Sequence, residues 1–255
     1  MEYWAGDLDG ALTIYEEQLE LATQLGDEVG RADALLNKGF VLALRVEDVE
    51  DGRASREEAA AIYREHGDET AVLMLEWGET LNSSLWADHE DQAAAAKEVS
   101  ERLEELGTPW HAAMALGTKA QTAFAMGDLA EAGRLVVQAL RLAVETRDFG
   151  PATFSVEPFV AIMQRADEPE SAALIVGALE RIWLRYGIRP PRPFHELLLI
   201  PDPRLTLEES LGPERYAAAV ARGQTMSDEQ LIDYLEAELA RIDERALDLG
   251  PYGKG

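Results

Sequence analysis

Residues 127–140 read GDLAEAGRLVVQAL, and residues 6–19 read GDLDGALTIYEEQL. Continued to Asp27 and Asp148, the two copies agree at Gly6/Gly127, Asp7/Asp128, Leu8/Leu129 and Ala11/Ala132. They agree again at Leu19/Leu140, Leu21/Leu142, Ala22/Ala143 and Asp27/Asp148. Internal repetition decides the fold class, because repeated units stack on their neighbours rather than folding about one centre. Apolar residues recur at three- and four-residue spacings, as in Leu12, Tyr15, Leu19 and Ala22, which lays one apolar stripe along a helix. Alternating β-branched runs and Asn-Gly hairpins are absent, so an all-α chain is predicted.

The breaks between stripes recur as well. Gly26 in QLGDE, Gly67 in EHGDE, Gly107 in ELGTP, Asp148 in TRDFG and Gly187 in RYGIRP fall 39 to 41 residues apart. Glycine just beyond a helix takes the left-handed conformation that ends it, and an acidic residue or proline suits the next start. Each interval has room for two helices. The pattern predicts 29–45 and 55–66 joined by a loop through Gly52, then 69–85 with 90–106, 110–125 with 129–146, and 152–165 with 170–186. A helical hairpin cannot bury its apolar face alone, so the expected architecture is a right-handed α-solenoid of about five hairpins. Gly127-Asp128 is then the tight turn within a hairpin, and Ala132 is small so that paired helices approach closely.

The first copy has no helix before it, so the stripe of Leu12, Tyr15 and Leu19 is expected to lack its cover. That points to a longer protein of which this chain is the C-terminal part, with a homodimer formed through the first helix or a divergent cap as the alternatives. After Gly187 the composition shifts. The expected scheme is repeats over 1–187, a Pro- and Arg-containing connection over 188–210, capping helices over 211–249 and a tail over 250–255. Leu211-Gly212-Pro213 opens a capping helix that Gly223 is expected to stop. Ser227 and Gln230 form a capping box for the next.

Charge and composition narrow the function. The net charge is −26, from 49 acidic and 23 basic residues. Such a surface repels phosphate backbones and anionic lipid, so direct nucleic-acid or membrane binding is not expected. An apolar fraction of 47% is that of a globular protein, and the absence of cysteine excludes thiolate chemistry and disulfides. With no basic-then-apolar leader and no long apolar window, a cytoplasmic protein is expected.

The repeat resembles the tetratricopeptide repeat, whose second half reads roughly G-D-[YL]-x-x-A-x-x-x-[YF]-x-x-A-L. Gly6-Asp7-Leu8, Ala11, Tyr15 and Leu19 match one copy; Gly127-Asp128-Leu129, Ala132, Val136, Ala139 and Leu140 match another; Ala59 and Tyr63 keep the spacing in a weaker one. The C-terminal part carries a second resemblance. Residues 172–180, AALIVGALE, look like the A-A-x-L-L-G-A-A-E helix near the end of many actinobacterial LuxR-type and related ATP-binding, cyclase-associated signal regulators. Leu211-Gly212-x-Glu214-x-Tyr216, continuing through Ala219, Gly223, Met226, Ser227 and Glu229, resembles their closing signature. The resemblance implies a sensor or scaffold region behind an upstream ATPase or effector domain. This segment holds neither a P-loop nor a helix-turn-helix after the closing helix.

Catalytic patterns are wanting. His66, His89, His111 and His195 form no H-E-x-x-H, His89-Glu90-Asp91 reads as a solvated cluster, and no G-x-S-x-G is present. A non-enzymatic chain without a cofactor or metal is expected, a hydrolase being the remote alternative. In tetratricopeptide-like repeats the first helix of each pair lines a concave groove. The resemblance thus makes Asn37 and Phe40, then Glu76, Glu79 and Asn82, then Thr118, Gln121 and Phe124 the groove candidates. The ligand would be a peptide or protein partner, with a small-molecule effector as the alternative. Lys38 and Lys119 fall near core-facing positions and offer no carboxylate clamp. Arg181, Arg185, Arg189 and Arg192 form the only local basic cluster, suited to pairing with Glu180 or the acidic repeats, or to docking an acidic partner segment.

Overall fold

The computed structural model describes residues 7–43, 48–83, 89–148, 157–186 and 203–245. Among these the secondary structure is twelve α-helices and no strand. They are α1 (Leu8–Leu25), α2 (Glu28–Ala43), α3 (Val49–Glu65), α4 (Glu69–Ser83), α5 (His89–Glu105) and α6 (Pro109–Ala125). There follow α7 (Leu129–Thr146), α8 (Glu157–Arg165), α9 (Pro169–Tyr186), α10 (Pro203–Leu211), α11 (Pro213–Gln224) and α12 (Asp228–Arg245). None of the described helices is long and apolar enough to cross a membrane.

One device closes five of the described helices. Gly26, Gly67, Gly127, Arg147 and Asp167 have φ of 67°, 68°, 82°, 57° and 57°. The N–H of the residue after each donates to the carbonyl five residues back: Asp27 to Ala22, Asp68 to Tyr63, Asp128 to Ala123, Asp148 to Ala143 and Glu168 to Met163, at 2.9 to 3.1 Å. This left-handed closure satisfies carbonyls that the helix itself leaves open. The acidic residue then starts the next helix. The carboxylates of Asp7, Asp27, Asp68 and Asp128 accept from the backbone N–H of Gly10, Gly30, Ala71 and Glu131 at 2.9 to 3.0 Å. Asp7 and Asp128 share nearly one backbone conformation, φ −89° and ψ 84° against φ −81° and ψ 76°. The duplicated stretch therefore performs the same local task twice.

The described helices fall into two compact units, one carried by α1–α4 and the other by α5–α12. In the first, α2 packs against both α1 and α3. Its core joins Ala32 and Leu35 of α2, Ala59, Ala60, Ile62 and Tyr63 of α3, and Val72 and Leu75 of α4. The sequence pattern puts Gly52 in a loop; the structure puts it inside α3 and buries it. A Cβ on Gly52 would stand 2.8 Å from the Gly39 carbonyl oxygen, and one on Gly39 would stand 2.8 Å from that of Gly52. Two bare Cα positions let α2 and α3 meet backbone to backbone.

In the second unit α5 through α9 each pack on the next described helix, and α10 and α11 lie on α9. The last helix, α12, returns to α7. There a Cβ on Gly133 would stand 2.2 Å from Leu239 Cδ2. One core runs through α6–α12, including Val136, Leu140, Phe159, Met163, Ile175, Leu179, Leu207, Leu231 and Leu235. The terminal helices thus share the core of α6–α9. Of the expected connection over 188–210, residues 188–202 lie outside the described residues and the remainder falls in α10, whose Pro203 sits in the first turn, where a missing N–H costs nothing. Gly223 does not stop α11 but lies within it, pressed against α9, while Thr225 caps the helix. The Ser227/Gln230 capping box is present, with reciprocal bonds of 2.8 and 3.1 Å.

Candidate partner-binding groove

In the first unit two of the groove candidates, Phe40 and Glu79, meet one buried arginine that is not among the candidates. Arg56 of α3 is only 5% exposed. Its Nη1 donates to the Gly39 carbonyl at 2.7 Å, its Nε donates to the Glu79 carboxylate, and its guanidinium lies 5.8 Å from the Phe40 ring centroid. Burying a guanidinium is costly unless it is paired and hydrogen-bonded, and here a carboxylate, a carbonyl and an aromatic face answer it. The signal for Arg56 exists in the sequence: with Ala59, Ala60 and Tyr63 it falls at i, i+3, i+4 and i+7, on the buried stripe of α3.

Phe40 also brings α2 to α4. A Cβ on Gly78 would stand 2.4 Å from Phe40 Cζ, so the ring rests on the bare backbone of α4. Asn37 is exposed one turn earlier on α2, its Nδ2 donating to the Asp33 carbonyl at 2.8 Å. Glu76 is half-buried, and its carbonyl accepts from the Thr80 hydroxyl at 2.9 Å. The Asn82 side chain lies outside the described residues. Behind this face the Tyr63 hydroxyl donates to Asp33 Oδ1 at 2.6 Å. Burial, then the neighbouring Asp33 carboxylate, pushes the Tyr63 phenol well above its ordinary range.

In the second unit Thr118 is buried and its hydroxyl donates to the Met114 carbonyl at 3.0 Å. It therefore belongs to the packing face of α6 and not to an outward one. Gln121 and Phe124 are half-buried. The Arg165 guanidinium lies 5.4 Å from the centroid of Phe124. Each unit thus holds a polar residue, a phenylalanine three positions later on the same helix, and an arginine from another helix over that ring. The lysines are engaged as well: Lys38 meets Glu16 at 2.9 Å and Lys119 meets Glu104 at 2.6 Å, each carboxylate belonging to the preceding helix.

The basic cluster divides. Arg189, Arg192 and His195 lie outside the described residues, as do the side chains of His89, Glu90 and Asp91. Arg181 and Arg185 of α9 both reach Asp228 in the first turn of α12, Arg185 at 3.3 Å and Arg181 closer. Asp228 is 13% exposed as a side chain, so the pair ties two helices of one unit together. Glu180, the partner expected from spacing, accepts from Gln224 of α11 at 3.1 Å. A buried acid, Glu238 of α12, pairs with Arg241 and accepts from the Ser171 hydroxyl at 3.5 Å. Among the described residues no group of three or more His, Asp or Glu side chains is placed to hold a metal ion. No protein-family profile matches the chain, and no curated protein sequence does.

Proposed function

We propose that this chain is a non-enzymatic, tetratricopeptide-like helical-repeat scaffold that binds a peptide or protein partner along the first helices of its hairpins. The observation that carries the reading is the contact of Phe40 on α2 with Gly78 on α4, with Arg56 of the intervening α3 behind it. First helices of successive pairs meeting in this way are what a repeat groove requires. Asn37 and the half-exposed Glu79 flank the contact and suit the amides and cationic side chains of an extended peptide. The polar-residue-to-phenylalanine pattern of Gln121 and Phe124 offers the same chemistry in the second unit. In a cytoplasmic regulator with an upstream ATPase or other effector domain, partner binding would act by favouring one state of that domain, which requires a difference in affinity between the two states.

The reading is tested with peptides selected by display against the purified chain and measured by calorimetry. Asn37→Ala is expected to weaken peptides that bind the first unit, and Gln121→Ala those that bind the second, by about tenfold, which corresponds to about 1.4 kcal/mol, while leaving the helical circular dichroism unchanged. Selected peptides that ignore both substitutions would remove the groove from the account.

A further inference from the structure

The first helix exposes a line of apolar side chains that its neighbours do not use. Leu12, Tyr15 and Leu19, the stripe expected to lack a cover, are half-buried, and Ala11 and Ala22 are buried. The exposed residues are Ile14, Leu21 and Leu25, at 38%, 56% and 73%. Spacings of seven and four residues put them on one line along α1. Val29, at the start of α2, is 39% exposed as well. Single exposed leucines need no explanation, but an ordered row of this kind does.

The charges beside the row are of one sign. Asp9, Glu16, Glu17 and Glu20 are the charged residues of α1, which contains no lysine or arginine. Glu17, three residues after Ile14 and four before Leu21, borders the row directly. Among the described residues, the ion pairs of this region take Lys38 to Glu16 and Arg31 to Glu28 and Glu58, which leaves Glu17 and Glu20 with no cationic partner. Glu20 accepts instead from Gln24 at 3.1 Å. A second copy of the chain is a poor occupant, because an α1–α1 contact sets Glu17 and Glu20 against their own kind.

We infer that this face of α1 docks a cationic amphipathic helix of a partner protein. Such a helix covers Ile14, Leu21 and Leu25 with its apolar side and places lysine or arginine against Glu17 and Glu20. The surface shares no residue with the groove of α2 and α4, so it stands or falls separately from the proposed function.

The test uses the full chain and a synthetic Leu/Lys amphipathic peptide of 18 residues, the length of α1. A scrambled peptide of the same composition with no apolar face serves as the control. Calorimetry should show binding of the amphipathic peptide, weaker at higher salt, and at least about tenfold loss for Leu21→Gln/Leu25→Gln. Both leucines are exposed, and circular dichroism checks that the variant keeps its helices. Glu17→Gln/Glu20→Gln, which removes no packing, should weaken binding and flatten its salt dependence. Equal binding of the scrambled peptide, or indifference to both double variants, would overturn the inference. So would sedimentation showing a dimer that the leucine variant dissolves.

Discussion

Gly223 of α11 lies so close to Leu174 of α9 that a Cβ on the glycine would stand 1.9 Å from the leucine's carbonyl oxygen. The approach is reciprocal, since a Cβ on Gly177 would stand 2.1 Å from the Val220 carbonyl oxygen. Residues 172–180 and the helix that follows Gly212 are thus partners across one helix crossing. Helix propensity alone says that Gly223→Ala stabilises by about 1 kcal/mol. A backbone carbonyl cannot rotate away as a side chain can, and overpacking costs about 1–3 kcal/mol or more. The clash should win. Urea denaturation of Gly223→Ala is expected to show a net loss of about 2 kcal/mol, whereas Gly67→Ala, at φ 68° with open space around it, should lose only about 1 kcal/mol.

The Arg56 cluster predicts coupling. Removing Glu79 leaves a buried guanidinium with the Gly39 carbonyl and the Phe40 ring alone. Because the Glu79 side chain is 42% exposed, the cost of Glu79→Ala should fall below the ~3–5 kcal/mol of a fully buried pair, at about 2 kcal/mol. The double variant Arg56→Met/Glu79→Gln should cost less than the sum of its two single variants in a double-mutant cycle.

Tyr63 predicts an alkaline limit. Its folded phenol is raised above the ordinary value by burial and by Asp33. Between the unfolded pKa of about 10 and the folded one, the native state holds a proton that the unfolded chain has lost. Stability contributed by Tyr63 is therefore complete below about pH 10 and falls above it, by up to about 1.4 kcal/mol per pH unit. Tyr63→Phe loses the hydrogen bond to Asp33 at neutral pH and should flatten that alkaline decline. Denaturation midpoints of both proteins across the alkaline range check it; equal slopes would contradict the assignment.

Asp228 holds α12 to α9 through Arg181 and Arg185. Asp228→Asn should cost about 1 kcal/mol, and the difference from the parent protein should shrink as salt screens the outer, more exposed Arg185. Hydrogen exchange should quicken first at the start of α12.

Several helix ends were legible because their punctuation is local. A Gly-Asp pair closes one helix and caps the next whatever lies beyond it, so the ends of α6 and α7 follow from the sequence within a residue. Glycine inside a helix carries the same letter with another cause. Gly52 and Gly223 read as loop and stop because the backbone that needs them bare belongs to a helix distant in sequence. Thr118 differs from the pattern for the same reason. Which of two polar residues on a helix is buried depends on the partner across the crossing, and neither Glu79 nor the Gly39 carbonyl announces itself from α3. Phe40 and Glu79, picked from α2 and α4, do share a partner in Arg56. Arg181 and Arg185 were visible as a cluster, but Asp228, more than forty residues on, was not.

A peptide held in the groove on the first helices leaves its footprint in hydrogen exchange, measured with a display-selected peptide bound. Binding should slow exchange over α2 and α4, around Asn37, Phe40 and Glu79, or over α6 around Gln121, and leave the backs of the hairpins unchanged. A tight peptide that protects none of these helices would contradict it.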